Sequence, residues 1–197
     1  MIFITDPLSP YAIATLLHFE RDVVWRVLKS VRSLLTLSED PNYPIRLFHK
    51  PFAEFITDPA RCTDPRHYIS PDYHAELVLR CLELMDESLK KNVFSIPDYV
   101  LNSEVGDPSR RIKEGGIHGA LEYACRSWHT HLVTTMGRTA DVVSALRRFL
   151  EQKFLFWLEV LSLFDAVDGA IRALDTTIKW LNEVCPDRRL DYQVPWC

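Results

Sequence analysis

The chain has 197 residues, enough for one large domain or two small ones. Its 47% apolar and 25% charged content is that of a globular chain with a real core, not of a disordered or fibrous one. A net charge of −4 argues against a molecule built as a whole to grip a polyanion.

Ser9-Pro10 reads as an N-cap followed by proline at the first helical position, predicting a short helix over about residues 10–18. A second helix is predicted over about residues 20–34. Its apolar stripe is Val23, Val24, Val27, Leu28, Val31 and Leu34. Pro41-Asn42-Tyr43-Pro44 is turn chemistry. It separates two predicted strands, 34–37 and 45–48, which would form the wing of a winged-helix module. Residues 57–70 carry Asp58, Pro59, Thr63, Asp64 and Pro65, the composition of a loop and of a domain boundary. A long helix follows Ser70-Pro71, with Ala75, Val78, Cys81, Leu82, Met85 and Leu89 on one face. Residues 92–116 read as irregular. Residues 117–133 are helical again, with a stripe of Ile117, Leu121, Ala124, Cys125, Trp128 and Leu132.

Residues 142–164 form the longest predicted helical stretch. Within 154–164 only Glu159 and Ser162 are polar, so this segment is either buried or waiting for a partner. Val167, Ile171, Leu174, Ile178 and Leu181 then repeat at spacings of four and three, a seam expected to pack within the chain. The fold class expected is mainly α: a winged-helix domain at 1–60 with a small β wing, a helical bundle at 61–185 and a polar tail at 186–197.

Five widely spaced cysteines without a CxxC pair read as free thiols in a reducing compartment. There is no basic n-region of a secretory signal and no apolar run near the ~20 residues that span a bilayer. A cytoplasmic protein without a membrane partner is the expectation.

The strand-to-helix junction at Phe48-His49-Lys50-Pro51 is the best candidate site. Proline suits the first position of a helix, so His49 falls just before a helix N-terminus, where free N–H groups favour negative charge. By geometry alone His49 reads first as a partly buried structural histidine.

Phe48-His49-Lys50-Pro51-Phe52-Ala53-Glu54-Phe55 resembles the winged-helix motif of NACHT NTPases, signal-transducing ATPases related to NOD-like receptors. Arg80-Cys81-Leu82, Leu89-Lys90-Lys91-Asn92, Leu121-Glu122-Tyr123-Ala124-Cys125-Arg126-Ser127-Trp128 and residues 154–163 (FLFWLEVLSL) are similar to the helical region that follows the core in fungal members. The resemblance covers about residues 5–185. It implies that the winged helix packs over a nucleotide held by a NACHT core, and that His49 reaches the β-phosphate of ADP in the resting state. Exchange to ATP would release that contact and permit oligomerisation. The G-x-x-x-x-G-K-[ST] phosphate loop is absent from this sequence. The chain therefore looks like the second half of such a protein. It is expected to be non-enzymatic, with no catalytic residue, no metal and no cofactor of its own. ADP or ATP enters only with a NACHT core.

Other constellations carry less. Cys125 and His129, with His118 and His131 nearby, have zinc-ligand spacing on one helix, but no second close pair completes four ligands. Cys125 with His129 or Glu122 as a nucleophile pair lacks an oxyanion hole. Residues 1–60 carry six basic and seven acidic side chains, so DNA reading by the winged helix is not expected. Arg110, Arg111 and Lys113, and Arg147, Arg148 and Lys153, read as solvated surface. The expected partner is the missing core, or another protein held by the apolar surface of 154–164. The alternative to a nucleotide-gating role is a stand-alone helical interaction module.

Overall fold

The computed structural model describes residues 3–48, 50–93, 96, 119–135 and 137–185. Among these lie eight α-helices and one two-stranded antiparallel sheet, a mainly α fold with a small β wing. The tail at 186–197, most of the 92–116 segment, and Ile117 and His118 lie outside the described residues.

Helix α1 (Pro10–Leu16) starts as its sequence predicts. The Ser9 hydroxyl accepts the Ala12 N–H at 3.1 Å, and Pro10 needs no partner for an N–H it lacks. The helix closes with a Schellman turn. Phe19 N–H donates to Ala14 O at 2.9 Å, and His18 takes the left-handed position (φ 55°) usually given to glycine. Ser9→Ala is expected to lower stability by about 1 kcal/mol and Ser9→Gly by only a few tenths. Urea midpoints of the three chains check this.

Helix α2 (Arg21–Ser30) is shorter than predicted. The chain leaves it at Val31 (φ −111°) and makes one 3₁₀ turn, Arg32–Leu34. That turn aims the backbone into β1 (Leu35–Thr36), which pairs with β2 (Arg46–Leu47). Leu35 faces Leu47 and Thr36 faces Arg46, so the wing is two residues per strand. Between them Asp40 accepts the Asn42 N–H at 2.9 Å and closes the predicted turn. Helix α3 (Lys50–Ile56) follows.

Helix α4 (Tyr73–Ser88) buries all six residues of its predicted face, from Ala75 to Leu89 at its C-cap. Helix α5 (Gly119–Leu132) lies along it and buries Leu121, Ala124, Cys125, Trp128 and Leu132. The stretch expected to be one long helix is two: α6 (Thr139–Gln152) and α7 (Phe154–Leu163). The break is at Lys153 (φ −119°, ψ −9°), whose ammonium donates to Leu89 O at 3.0 Å. The bend brings Phe149 and Trp157 to 5.6 Å, edge to face, and both against Trp128. A straight helix would hold these two rings along one rod and could not close them over a third.

Helix α7 spends nearly all its apolar surface inside the molecule. Trp157, Val160, Leu161 and Leu163 are buried, and Leu155, 74% exposed, is the large apolar side chain it leaves strongly open. It ends in another Schellman turn, with Asp165 left-handed (φ 51°) and Ala166 N–H on Leu161 O at 2.9 Å. In the last helix, α8 (Val167–Val184), the predicted seam packs only in part, with Leu181 against the core and Leu174 half-buried. Its inner face is Ala170, Ala173, Thr177 and Trp180, which lets it lie close on α5 and α7. Val167, Ile171 and Ile178 point outward. Helix α2 behaves alike: Val24 and Leu28 are buried, whereas Val23, Val27 and Val31 are exposed.

One buried cluster runs from Leu8 to Trp180 and takes in α1, α2, β1 and α4 to α8. Residues from both sides of position 60 thus share it. Cys62, Cys81, Cys125 and Cys185 are free thiols, as their spacing predicts.

Candidate functional site

The site expected from sequence is bracketed by described structure but not itself described. β2 ends at Leu47 and α3 begins at Lys50, while His49 lies outside the described residues. Its aromatic neighbours do not all pack. Phe48 is 60% exposed, Phe52 is half-buried, and Phe55 is open under the Arg61 guanidinium at 5.7 Å. Ile56 anchors the helix in the interior.

The densest polar arrangement lies elsewhere, where the N-terminal stretch crosses α4 and α5. Thr5 N–H donates to Tyr123 Oη at 3.3 Å. Tyr123 Oη stands 2.6 Å from His131 Nε2, and His131 Nδ1 stands 3.1 Å from His74 Nδ1. Tyr123 Oη can accept from Thr5 and still give its own proton to His131 Nε2. His131 then carries its proton on Nδ1 and donates to His74, whose remaining proton sits on Nε2. Phe3 covers the His74 ring at 4.4 Å. Next to the chain, Ser127 Oγ donates to Asp6 at 3.1 Å.

The electrostatics suit a neutral network. His131 is fully buried; burial, then its neighbour His74, lowers its pKa to about 4. Burial also lowers the pKa of His74. Burial pushes the Tyr123 hydroxyl up to about 12, so it stays a donor at neutral pH. The arrangement ties the N-terminal stretch to α5. Sequence reasoning did not find it. His74 and His131 are 57 positions apart, and neither the helical stripe nor a spacing rule links them.

The zinc-like spacing on α5 comes apart in three dimensions. Cys125 is buried on the apolar stripe, and burial pushes its thiol far above its ordinary pKa. His129 Nδ1 is buried without a hydrogen-bond partner, and His131 is committed to Tyr123 and His74. Among the described residues no group of three or more His, Cys, Asp or Glu is placed to hold a metal ion.

A groove of about 530 Å³ runs between α4 and α6, lined by Glu76, Arg80, Glu83, Arg138, Asp141 and Arg148 among others. Arg80 bonds Glu76 and Glu83, each at 2.9 Å. Arg138, left-handed at φ 52°, reaches Glu76 across the groove and Asp141 on its own helix. These pairs are largely exposed and tie two helices together at small net gain. Five of the lining side chains, Glu76, Arg80, Glu83, Arg138 and Asp141, are thus paired with one another.

Among the described residues no helix is long and apolar enough to cross a membrane. Comparison of the chain with family models, with curated proteins and with solved structures finds no match.

Proposed function

We propose that this chain is the regulatory, non-catalytic winged-helix and helical portion of a NACHT-type signalling protein. In this reading it acts in the cytosol and gates nucleotide-dependent assembly in defence or incompatibility signalling. The observation that carries it is the order of the motifs, with the Phe48 to Phe55 string falling across the end of β2 and the start of α3. The Leu121 to Trp128 string lies wholly in α5 and supplies its buried face. The FLFWLEVLSL string is α7 and closes the aromatic core around Trp157. The remaining half of the nucleotide site, a phosphate loop, belongs to the NACHT core that is the primary partner. His49 contributes one imidazole N–H to an ADP phosphate oxygen, a contact that favours the resting state.

The test begins with the complete transcript. An in-frame G-x-x-x-x-G-K-[ST] string upstream supplies the core. In that joined protein His49→Ala is expected to weaken ADP binding roughly 10- to 100-fold, the loss of one hydrogen bond to a charged group. Equal ADP affinity in both proteins, or a transcript with no phosphate loop, sinks the proposal.

A second reading, an interaction module that works without nucleotide, is favoured by the outward apolar faces of α2 and α8. DNA binding gains nothing from α2. Its outer face carries valines, and its Lys29 lies over the Trp25 ring at 4.7 Å.

A further inference from the structure

We infer that residues 3–6 are a proton-released strap, docked on α4 and α5 near neutral pH and detached from them in acid, with Leu8 as its fixed end. The fixed end does not titrate. Leu8 is buried, its carbonyl accepts the Ile45 N–H at 2.9 Å, and Ser9 caps α1 at the next residue. Before Leu8 the chain is held differently. Phe3 and Ile4 are half-buried, and Thr5, Asp6 and Pro7 are exposed. Phe3 lies against the His74 ring, Thr5 N–H donates to Tyr123 Oη, and Asp6 accepts from Ser127 Oγ. The first two of these contacts end on the relay of Tyr123, His131 and His74.

Each acceptor nitrogen of that relay is already in use. Tyr123 donates to His131 Nε2, and His131 Nδ1–H donates to His74 Nδ1. A proton added to His131 takes Nε2, and one added to His74 takes Nδ1. Either sets donor against donor. His131 Nε2–H turns to Tyr123 as a donor only if Oη takes two donors and leaves its own proton without a partner. The Thr5 bond, at 3.3 Å against 2.6 Å for Tyr123 and His131, is the longer of the two at that oxygen. It is the contact that gives way.

The surroundings do not welcome an imidazolium. The groups facing His131 are His74 from α4, Tyr123 and His129 from α5, and the amino-terminal charge; His74, the amino terminus and His129 each disfavour a proton there. Cys81 of α4 stands near Tyr123, its thiol held neutral by burial. Asp6, the one acid of the strap, lies on Ser127 and near Tyr123. Burial is the first cause that lowers the pKa of both His74 and His131, and Phe3 is part of that cover. Detachment wets the rings and lets them charge. Unfolding the whole chain does the same at far greater cost, because α4 and α5 share the main core while the strap has few contacts. The strap therefore yields first. No nucleotide is involved, and the inference stands apart from the NACHT reading.

The test is backbone dynamics of the full chain by heteronuclear amide NOE, from about pH 7.5 to about pH 4.5, under reducing conditions. With the His131 pKa at about 4 when docked and 6.5 when released, the ratio of released to docked strap is expected to rise about 30-fold by about pH 5 through that ring alone. The amides of Ile4, Thr5 and Asp6 are expected to pass from the values of a rigid backbone to those of a free chain end, while those of α7 stay rigid. His131→Gln, which leaves Tyr123 an acceptor and takes no proton, is expected to keep the strap docked through most of the range. Phe3→Ala, which uncovers His74 without entering the bundle, is expected to move release to higher pH. A wild-type strap that stays rigid to the acid end of the range, or is already free at its neutral end, overturns the inference. So does a loss of order that the strap shares with α7, because that is unfolding of the whole chain. Release of His131→Gln at the wild-type pH overturns the role of the relay. Should that variant not fold, an unmoved midpoint in Phe3→Ala overturns it equally.

Discussion

Replacing Trp157 with alanine is expected to remove about 3–5 kcal/mol of stability, a large share of the ~5–15 kcal/mol of a typical domain. Trp157 is buried at the bend between α6 and α7, and it touches three aromatic rings. Trp128 stands at 6.2 Å, Phe149 at 5.6 Å and Phe154 at 5.9 Å. Its indole N–H donates to Cys125 O at 2.8 Å and so joins α7 to α5. The alanine variant loses the buried area, leaves a cavity among large rings that cannot collapse, and removes that bond. Trp157→Phe keeps most of the volume and is expected to cost about 1–2 kcal/mol. Leu155→Ala, two positions away on the open side of α7, is expected to fall within ~0.5 kcal/mol of the wild type. Urea unfolding followed by circular dichroism ranks the three. If Leu155→Ala costs as much as Trp157→Ala, the orientation of α7 described above is wrong.

Acid is expected to destabilise the chain between about pH 6.5 and pH 4, by up to roughly 3 kcal/mol through His131 alone. Folding lowers the His131 pKa from 6.5 to about 4, by burial first and by His74 second. Within that window the unfolded chain binds a proton that the folded chain refuses. Each step down in pH therefore favours unfolding. Above about 6.5 both states are neutral and the contribution is fully present. The hydrogen bonds explain why the folded chain refuses. A proton added to His131 goes to Nε2, the atom that accepts the Tyr123 hydroxyl proton, and sets donor against donor. Stability measured by urea across this range is expected to fall steeply for the wild type. His131→Phe, referred to its own value near pH 7.5, is expected to fall less. A wild-type profile that is flat across the window contradicts the assignment of a neutral pair.

The elements that could be read from the sequence are those whose local chemistry had a single solution. Ser9-Pro10 permits little besides a helix start, and the Ser9 cap is there. The stripes of α4 and α5 are narrow and flanked by charge, so periodicity alone placed Val78, Met85, Cys125 and Trp128 inside. Helix α8 shows the limit. Its apolar arc is wide enough for two orientations, and the bulky half made the better pattern. The structure instead turns the side with Ala170, Ala173, Thr177 and Trp180 inward, against α5 and α7. The break at Lys153 was hidden for a related reason. No glycine or proline marks it; the bend is imposed by rings that meet only in three dimensions and by the Leu89 carbonyl 64 positions earlier. His49 was legible as a motif residue. The relay through His74, His131 and Tyr123 was not, because its members are far apart in sequence and none is unusual alone.

The first described residues have a mechanical consequence. Leu8 O accepts the Ile45 N–H at 2.9 Å just before the wing, while Thr5 and Asp6 are bonded to Tyr123 and Ser127 on α5. A force applied at residue 3 therefore divides within five residues. One branch runs through Leu8 to the hairpin and the other through Tyr123 to the bundle. The short segment between them works as a lever with two load points, so the wing and the helices cannot be pulled independently from that end.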